Sequence, residues 1–443
     1  MDNKRITARE AAYRSLMLCE QDKKYSNLEI DASIRRFRLE GADKGLYTAL
    51  VYGVIERRIT LDYLIGKLSS KPVEMLDPEV ITLLRLGLYQ LVWLDRIPDS
   101  AAVNETVNIA KKNAPRAASF INAVLRGFLR SVDKAALPYP DRSNMRRYLS
   151  VRYSCGEDVV DTLTASLKDA EAVLEAFMSK PDVTLRVNTL KATRDELLDR
   201  LAKAGVEAVP TVYSPYGIRL TGKTVSSEIS ELIDGGYVYI QDEASQLASA
   251  AADPKPGSLL IDTCACPGGK SFSCALIMNN SGKVKSFDLH KNKLSLIRSG
   301  AEKLGIDIIE TAEKNGSVYD ESLAISADTV ICDVPCSGLG VIAKKPEIRY
   351  KSREELERLP EIQYSILRTA AQYVKPGGVL CYSTCTLNRA ENEAVAARFI
   401  AENDVYTAED FSFGGLTSDK GMLTLLPHIH NTDGFFIAKF RRK

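Results

Sequence analysis

The chain has 443 residues, room for about three domains at roughly 150 residues each. Its 45% apolar and 26% charged residues are those of an ordinary globular protein, which excludes a disordered or collagen-like chain. No apolar run approaches the ~20 residues that span a bilayer. The start, Met1-Asp2-Asn3-Lys4-Arg5, lacks the apolar stretch of a secretory signal, so a cytoplasmic protein without membrane contact is expected. Nine cysteines are an odd number, and seven of them lie between Cys264 and Cys385. That clustering points to reduced, reactive thiols rather than to a disulfide framework. Three histidines speak against a His-based hydrolase or a multi-zinc protein. Charge is balanced overall at +1, yet residues 1–132 carry 21 Lys+Arg against 16 Asp+Glu. A basic excess of five in one segment is compatible with a polyanionic partner.

Residues 1–132 read as an all-helical domain. Apolar positions recur at helical spacing over 8–20, 46–68, 80–94, 101–112 and 117–129. Pro98-Asp99-Ser100 supplies a start signal before the fourth of these. Residues 131–144, with Pro138 and Pro140, read as a linker. Residues 145–240 form a small α+β module, with helices expected over 159–166 and 170–178 and a strand over 183–188. Thr193 with Glu196 three positions later opens a further helix to 204 as a capping box. Further strands are expected at 218–220 and 237–240.

Residues 241–443 alternate strand and helix. Strands are expected at 259–262, 284–288, 307–311, 329–333, 379–383 and 435–440. Helices are expected at 270–278, 291–304, 354–374 and 390–402. This order implies an α/β domain of Rossmann-like type, a mostly parallel sheet covered on both faces.

Four strand ends carry the chemistry. The strand Leu259-Leu260-Ile261-Asp262 runs into Thr263-Cys264-Ala265-Cys266-Pro267-Gly268-Gly269-Lys270 and then a helix. Glycines at such a turn let a ligand approach the backbone at a helix N-terminus. The next strand ends in Asp288, placed to accept hydrogen bonds from ribose hydroxyls. Together these favour a nucleoside-containing cofactor. A later strand ends in Asp333-Val334-Pro335-Cys336-Ser337-Gly338-Leu339-Gly340, and the one after it in Tyr382-Ser383-Thr384-Cys385. Two thiols and a carboxylate therefore reach the sheet edge at which doubly wound sheets bind their ligands. Spacing alone gives both thiols similar access.

The blocks at 333–340 and 382–385 resemble the RNA cytosine carbon-5 methyltransferase family, and the loop at 264–270 resembles that family's cofactor loop. The resemblance extends through residues 186–191, 241–245, 391–393 and 433–436, while residues 120–126 resemble the NusB-type RNA-binding domain. A NusB-like domain joined to such a catalytic domain is similar to the bacterial small-subunit (16S) ribosomal RNA methyltransferases of the RsmB type. The resemblance implies S-adenosyl-L-methionine held by Cys264, Ala265, Cys266, Pro267, Gly268, Gly269 and Lys270, with Asp288 on the ribose and Asp333 near both cofactor and base. It further implies Cys385 as nucleophile and Cys336 as its partner in product release. Cys266 stands where the family usually has Ala. Lys314-Asn315-Gly316 replaces a usual Asp-containing segment, so Asn315 is left to meet the adenine amino group through its carbonyl.

Carbon 5 of cytosine is a poor nucleophile, and addition of a thiolate to carbon 6 makes it a good one. Removal of the carbon-5 proton then falls to Cys336 or to water. A monomer acting without a metal is expected, since Cys264 and Cys266 lack a second Cys/His pair at zinc-like spacing. The other readings are the same chemistry on transfer RNA, or a non-catalytic RNA-binding assembly factor. The presence of both Cys336 and Cys385 disfavours the assembly factor.

Overall fold

A computed structural model describes residues 6–22, 26–222 and 226–443. These fall into two compact units. One runs to Thr162 and takes in Lys344–Ser352; the other comprises Leu163–Ala343 and Arg353–Lys443.

The first unit is helical. Its centre is the helix Pro78–Trp93, started by Pro at its first turn and buried from Val80 to Leu88 without a break. A helix apolar on all sides has to be enclosed. Ala8–Asp22, Gly41–Glu56, Arg58–Leu68, Asp99–Asn113 and Ala118–Ser131 supply the rest of one continuous core with it. The expected single helix over 46–68 is two helices, broken at Arg57, whose N–H bonds back to the Gly53 carbonyl. Both pieces bury their apolar faces in one core, so the hydrophobic period runs through the break. Ser26–Phe37 and Met145–Tyr153 are helices that the sequence reading did not name. The buried guanidinium of Arg349 donates to the Tyr153 carbonyl at 2.9 Å, tying the segment Lys344–Ser352 to this unit.

The second unit holds two main sheets. In the smaller one, β1 (Val183–Val187), β2 (Ala208–Pro210), β3 (Gly217–Leu220) and β4 (Val238–Ile240) run antiparallel in the order β2-β3-β1-β4. The capping box forms as expected, with Thr193 accepting from the Glu196 N–H ahead of the helix Arg194–Lys203. The larger sheet contains β5 (Leu259–Asp262), β6 (Lys283–Asp288), β7 (Ile309–Glu313), β8 (Ala327–Asp333), β9 (Val374–Thr384) and β10 (Tyr406–Ala408). A two-stranded ribbon, β11 (Ser412–Phe413) with β12 (Leu416–Thr417), follows, then β13 (Met422–Leu425) and β14 (Phe435–Arg442). The order is β10-β14-β9-β8-β5-β6-β7, with β13 also on β14. Strands β5 to β9 pair in parallel, and β14 lies antiparallel to β9.

Strand residues alternate between two cores. Ile331, Cys381 and Ile437 face the layer that includes Leu247, Leu276 and Ile297. Their neighbours Val330, Leu380, Phe436 and Ala438 face Tyr364, Leu367 and Phe399. That period of two is what places a sheet between two helical layers. The helix Glu243–Ala252, absent from the sequence reading, packs into the first layer through Ala and Leu. The expected helix over 354–374 is two pieces, Arg353–Glu357 and Leu359–Ala371, and the strand expected at 379–383 starts at Val374. The strand expected at 307–311 begins two residues later.

Candidate active site

The carboxyl ends of β5, β6, β8 and β9 converge, and each carries a residue named from the sequence. Cofactor-loop residues 263–268 leave β5 and enter the helix Gly269–Ile277. Gly268 has φ +117°, and a Cβ there would stand 2.4 Å from the Phe272 ring. Only glycine makes this turn. Asp262, fully buried, accepts from the Ser271 hydroxyl at 2.7 Å, and Ser271 in turn meets Ser286 of β6. Burial pushes the Asp262 carboxyl up to about 6, partly offset by the Ser271 hydrogen bond. Cys264 and Cys266 are half-buried. Burial and the nearby Asp262 raise the Cys264 thiol, while burial and Asp288 push Cys266 up to about 12. Both are thiols at neutral pH.

Asp288 closes β6. Its carboxylate accepts the Cys266 N–H at 3.2 Å through one oxygen and the His290 N–H at 3.0 Å through the other. Each oxygen retains a lone pair for a ribose hydroxyl. Asn315 lies just past β7, exposed, with its carbonyl accepting the Ser317 N–H at 3.0 Å. The turn that only glycine can make and the acidic strand end beside it fit a nucleoside cofactor. Among the described residues no group of three or more His, Cys, Asp or Glu is placed to hold a metal ion. No helix among them is long and apolar enough to cross a membrane.

On the other side, β8 and β9 deliver the thiols. Cys336 and Cys385 bring their sulfur atoms to 3.2 Å. The hydrogen bond to Cys385, burial, and the charges of Glu391 and Asp333 hold the Cys336 thiol well above its ordinary range. Asp333 accepts the Ser383 hydroxyl at 2.8 Å and the buried Lys270 ammonium at 2.6 Å. Lys270 also donates to Ser245 at 3.0 Å. Burial works against its charge, but Asp333 first, then Cys385 and Asp262, outweigh this and raise its pKa. Lys270 thus reaches out of the loop to the thiol side.

The sequence reading assigned no role to Ser245, Ser271, Ser383, Gln241 or Glu391. Gln241 donates to the Gly269 carbonyl at 3.0 Å and accepts from Ser273, while Tyr239 meets Ser273 at 2.8 Å. The end of β4 is thereby fastened to the first turn of the loop helix. Gln241, Ser245, Ser383 and Glu391 lie within blocks quoted for the resemblance; Ser271 lies just past the cofactor loop and carries no pattern of its own. The His430 ring accepts the Leu426 N–H at 2.8 Å.

Comparisons with known proteins agree with this architecture. Residues 249–441 match the family model of the 16S rRNA methyltransferase RsmB/F, residues 6–130 that of the NusB family, and residues 161–226 the ferredoxin-like domain of RsmF/B-like methyltransferases. A probable ribosomal RNA small subunit methyltransferase B of Bacillus subtilis (strain 168) is 39% identical, over 99% of this chain and 100% of the relative. A protein of the same description from Synechocystis is 33% identical over 99% and 100%. The crystal structure of a methyltransferase homolog protein from Pyrococcus horikoshii superposes with TM-score 0.58 at 29% identity, covering 67% of this chain and 98% of that one. Match, identity and sheet order together make the chain a member of the S-adenosylmethionine-dependent 16S rRNA methyltransferase RsmB/F family, with a NusB-type helical domain ahead of its catalytic sheet.

Proposed function

We propose that the chain methylates carbon 5 of a cytosine in 16S ribosomal RNA through a transient bond between Cys385 and carbon 6. The observation that carries this is the pair of sulfur atoms 3.2 Å apart on adjacent strand ends, beside the Asp333–Lys270 ion pair. Two thiols so placed suit a reaction in which one bond to sulfur is made and later broken. The charges around them differ. The Lys270 ammonium bears on the Cys385 sulfur, whereas Glu391 and Asp333 bear on Cys336. A cation favours a thiolate and an anion a thiol, which supports Cys385 as the nucleophile and Cys336 as the thiol that keeps its proton.

Addition of the Cys385 sulfur to carbon 6 moves electron density to carbon 5. S-adenosylmethionine supplies the electrophilic methyl group that carbon 5 then takes up. We assign Asp333, held by Lys270 and Ser383, to the edge of the base: protonated or paired with the ring, it would stabilise the charge that develops on the ring nitrogen and the exocyclic amine. Loss of the carbon-5 proton returns the carbon–sulfur bonding pair to Cys385. Residues 264–270 and Asp288 hold the cofactor, with Asn315 at its adenine.

The test is incubation with methyl-labelled S-adenosylmethionine and either unmodified small-subunit RNA or a transfer RNA pool, followed by nucleoside analysis. Label in 5-methylcytidine of the small-subunit RNA is expected. Label confined to transfer RNA overturns the substrate, and label at another atom overturns the chemistry.

A further inference from the structure

Glu391 belongs to no strand end and touches no expected substrate, yet it is fully buried. One of its oxygens accepts the Ser337 N–H at 2.8 Å and the Gln363 side-chain amide at 2.8 Å; the other accepts Asn388 at 2.9 Å. Gln363 also donates to the Pro335 carbonyl at 3.0 Å. Ser337 and Pro335 flank Cys336 in sequence, and Asn388 belongs to the turn that follows Cys385. Three more bonds run between the same two loops or brace them. Ser337 meets the Thr386 hydroxyl at 2.6 Å, the Gly340 N–H reaches the Cys385 carbonyl at 3.0 Å, and the Tyr382 hydroxyl donates to the Glu391 carbonyl at 2.6 Å. Removing a buried acceptor with three donors leaves all three unsatisfied, so such an arrangement is rigid or fails.

We propose that Glu391 is the positioning residue of adduct breakdown: its carboxylate fixes the Cys336 loop against the Cys385 loop so that the Cys336 S–H donates to the Cys385 sulfur as that sulfur leaves carbon 6. This rests on the covalent reading above. The balance is complete. The carbon-5 proton passes to water, and the carbon–sulfur pair returns to Cys385, whose thiolate the Cys336 S–H stabilises as a hydrogen-bond donor that keeps its own proton. The starting pair is thereby restored. Cys336 is a hydrogen-bond donor for sulfur departure and not the base for carbon 5. The groups that face Cys336 agree with a retained proton: Cys385, Glu391 and Asp333 all oppose its ionisation.

The experiment uses the full chain with small-subunit RNA and S-adenosylmethionine. Glu391→Gln is expected to hold cofactor affinity and RNA KM within twofold and to transfer the first methyl group at close to the parent rate. Breakdown should slow by 10-fold or more, leaving methylated RNA bound to protein on a denaturing gel. Because a negative charge beside Cys336 is gone, the fall in breakdown rate with rising pH should begin at lower pH than in the parent. In a Cys336→Ala background, Glu391→Gln should add nothing, since both act through one sulfur. Asn388→Ala, which removes a single donor, should give a smaller accumulation of the same species and serves if Glu391→Gln does not fold. Equal loss of affinity, transfer and breakdown in these variants, or additive effects in the Cys336→Ala background, would overturn the positioning role. Absence of a covalent species in every variant, Cys336→Ala included, would instead overturn the covalent reading.

Discussion

The two halves of the strand-end site are built by different means. On the cofactor side, β5 and β6 offer a glycine turn and a carboxylate held by two backbone N–H groups and the Cys266 thiol. On the thiol side, β8 and β9 offer side chains locked to one another by Lys270–Asp333–Ser383 and by the Glu391 cluster. A backbone cradle loses affinity in steps as side chains are removed. A closed polar network loses function as a unit, because each missing partner strands another.

Substitutions on the two sides should therefore differ in kind. Cys385→Ala is expected to lower methyl transfer by at least ~1000-fold with no covalent species, while cofactor affinity by calorimetry stays within about twofold. Residual transfer above that level would remove the sulfur from the reaction.

On the cofactor side the largest effect is one of stability. Asp262 titrates near 6 when folded and near its ordinary 3.8 when unfolded. The folded chain holds that proton more tightly. The resulting stabilisation is complete below pH 3.8 and is lost as pH rises through 6, amounting to up to about 3 kcal/mol. Asp262→Asn has no such dependence, so its stability relative to the parent should improve between pH 4 and pH 7 in denaturant titrations. A flat difference would show that burial does not perturb Asp262.

Asp288→Ala should weaken cofactor binding by about 1.5–3 kcal/mol, roughly 10- to 150-fold, through the lost ribose partner. The melting temperature should hardly change, and unchanged affinity would cancel the assignment. Least affected is Cys266→Ala. Its thiol, hydrogen-bonded to Asp288, stays protonated near neutral pH, and its loss leaves both backbone N–H donors on that carboxylate, so cofactor affinity should move by less than about threefold. A larger loss would show that the thiol's bond sets the position of Asp288.

What was legible in the sequence follows the same division. The ends of β5, β6 and β8, the glycine turn and the Thr193–Glu196 cap are local patterns, and these are found where periodicity and turn chemistry place them. The break at Arg57 was not legible, because neither Gly nor Pro marks it and both flanking helices feed one core. The helix Glu243–Ala252 was missed because eight of its ten residues are buried, which erases the polar face that periodicity detects. At the site, the residue types were visible but their partners were not. Lys270 and Asp333 are 63 positions apart, and Ser337 and Glu391 are 54 apart. Sequence spacing carries no information about bonds that the sheet order creates. Asn315, named for the adenine, proves to be exposed and to spend part of its carbonyl on Ser317.

The central claim is that Cys385 bonds to carbon 6 while Cys336 does not. It is tested most directly with small-subunit RNA carrying 5-fluorocytosine, whose fluorine cannot leave as the proton does, so the adduct persists. Digestion and mass spectrometry of the trapped complex should place the methylated nucleotide on the peptide containing Cys385, with Cys336 still open to alkylation. Nucleotide on Cys336, or active turnover on normal RNA with no trapped species on the fluorinated one, would contradict the account.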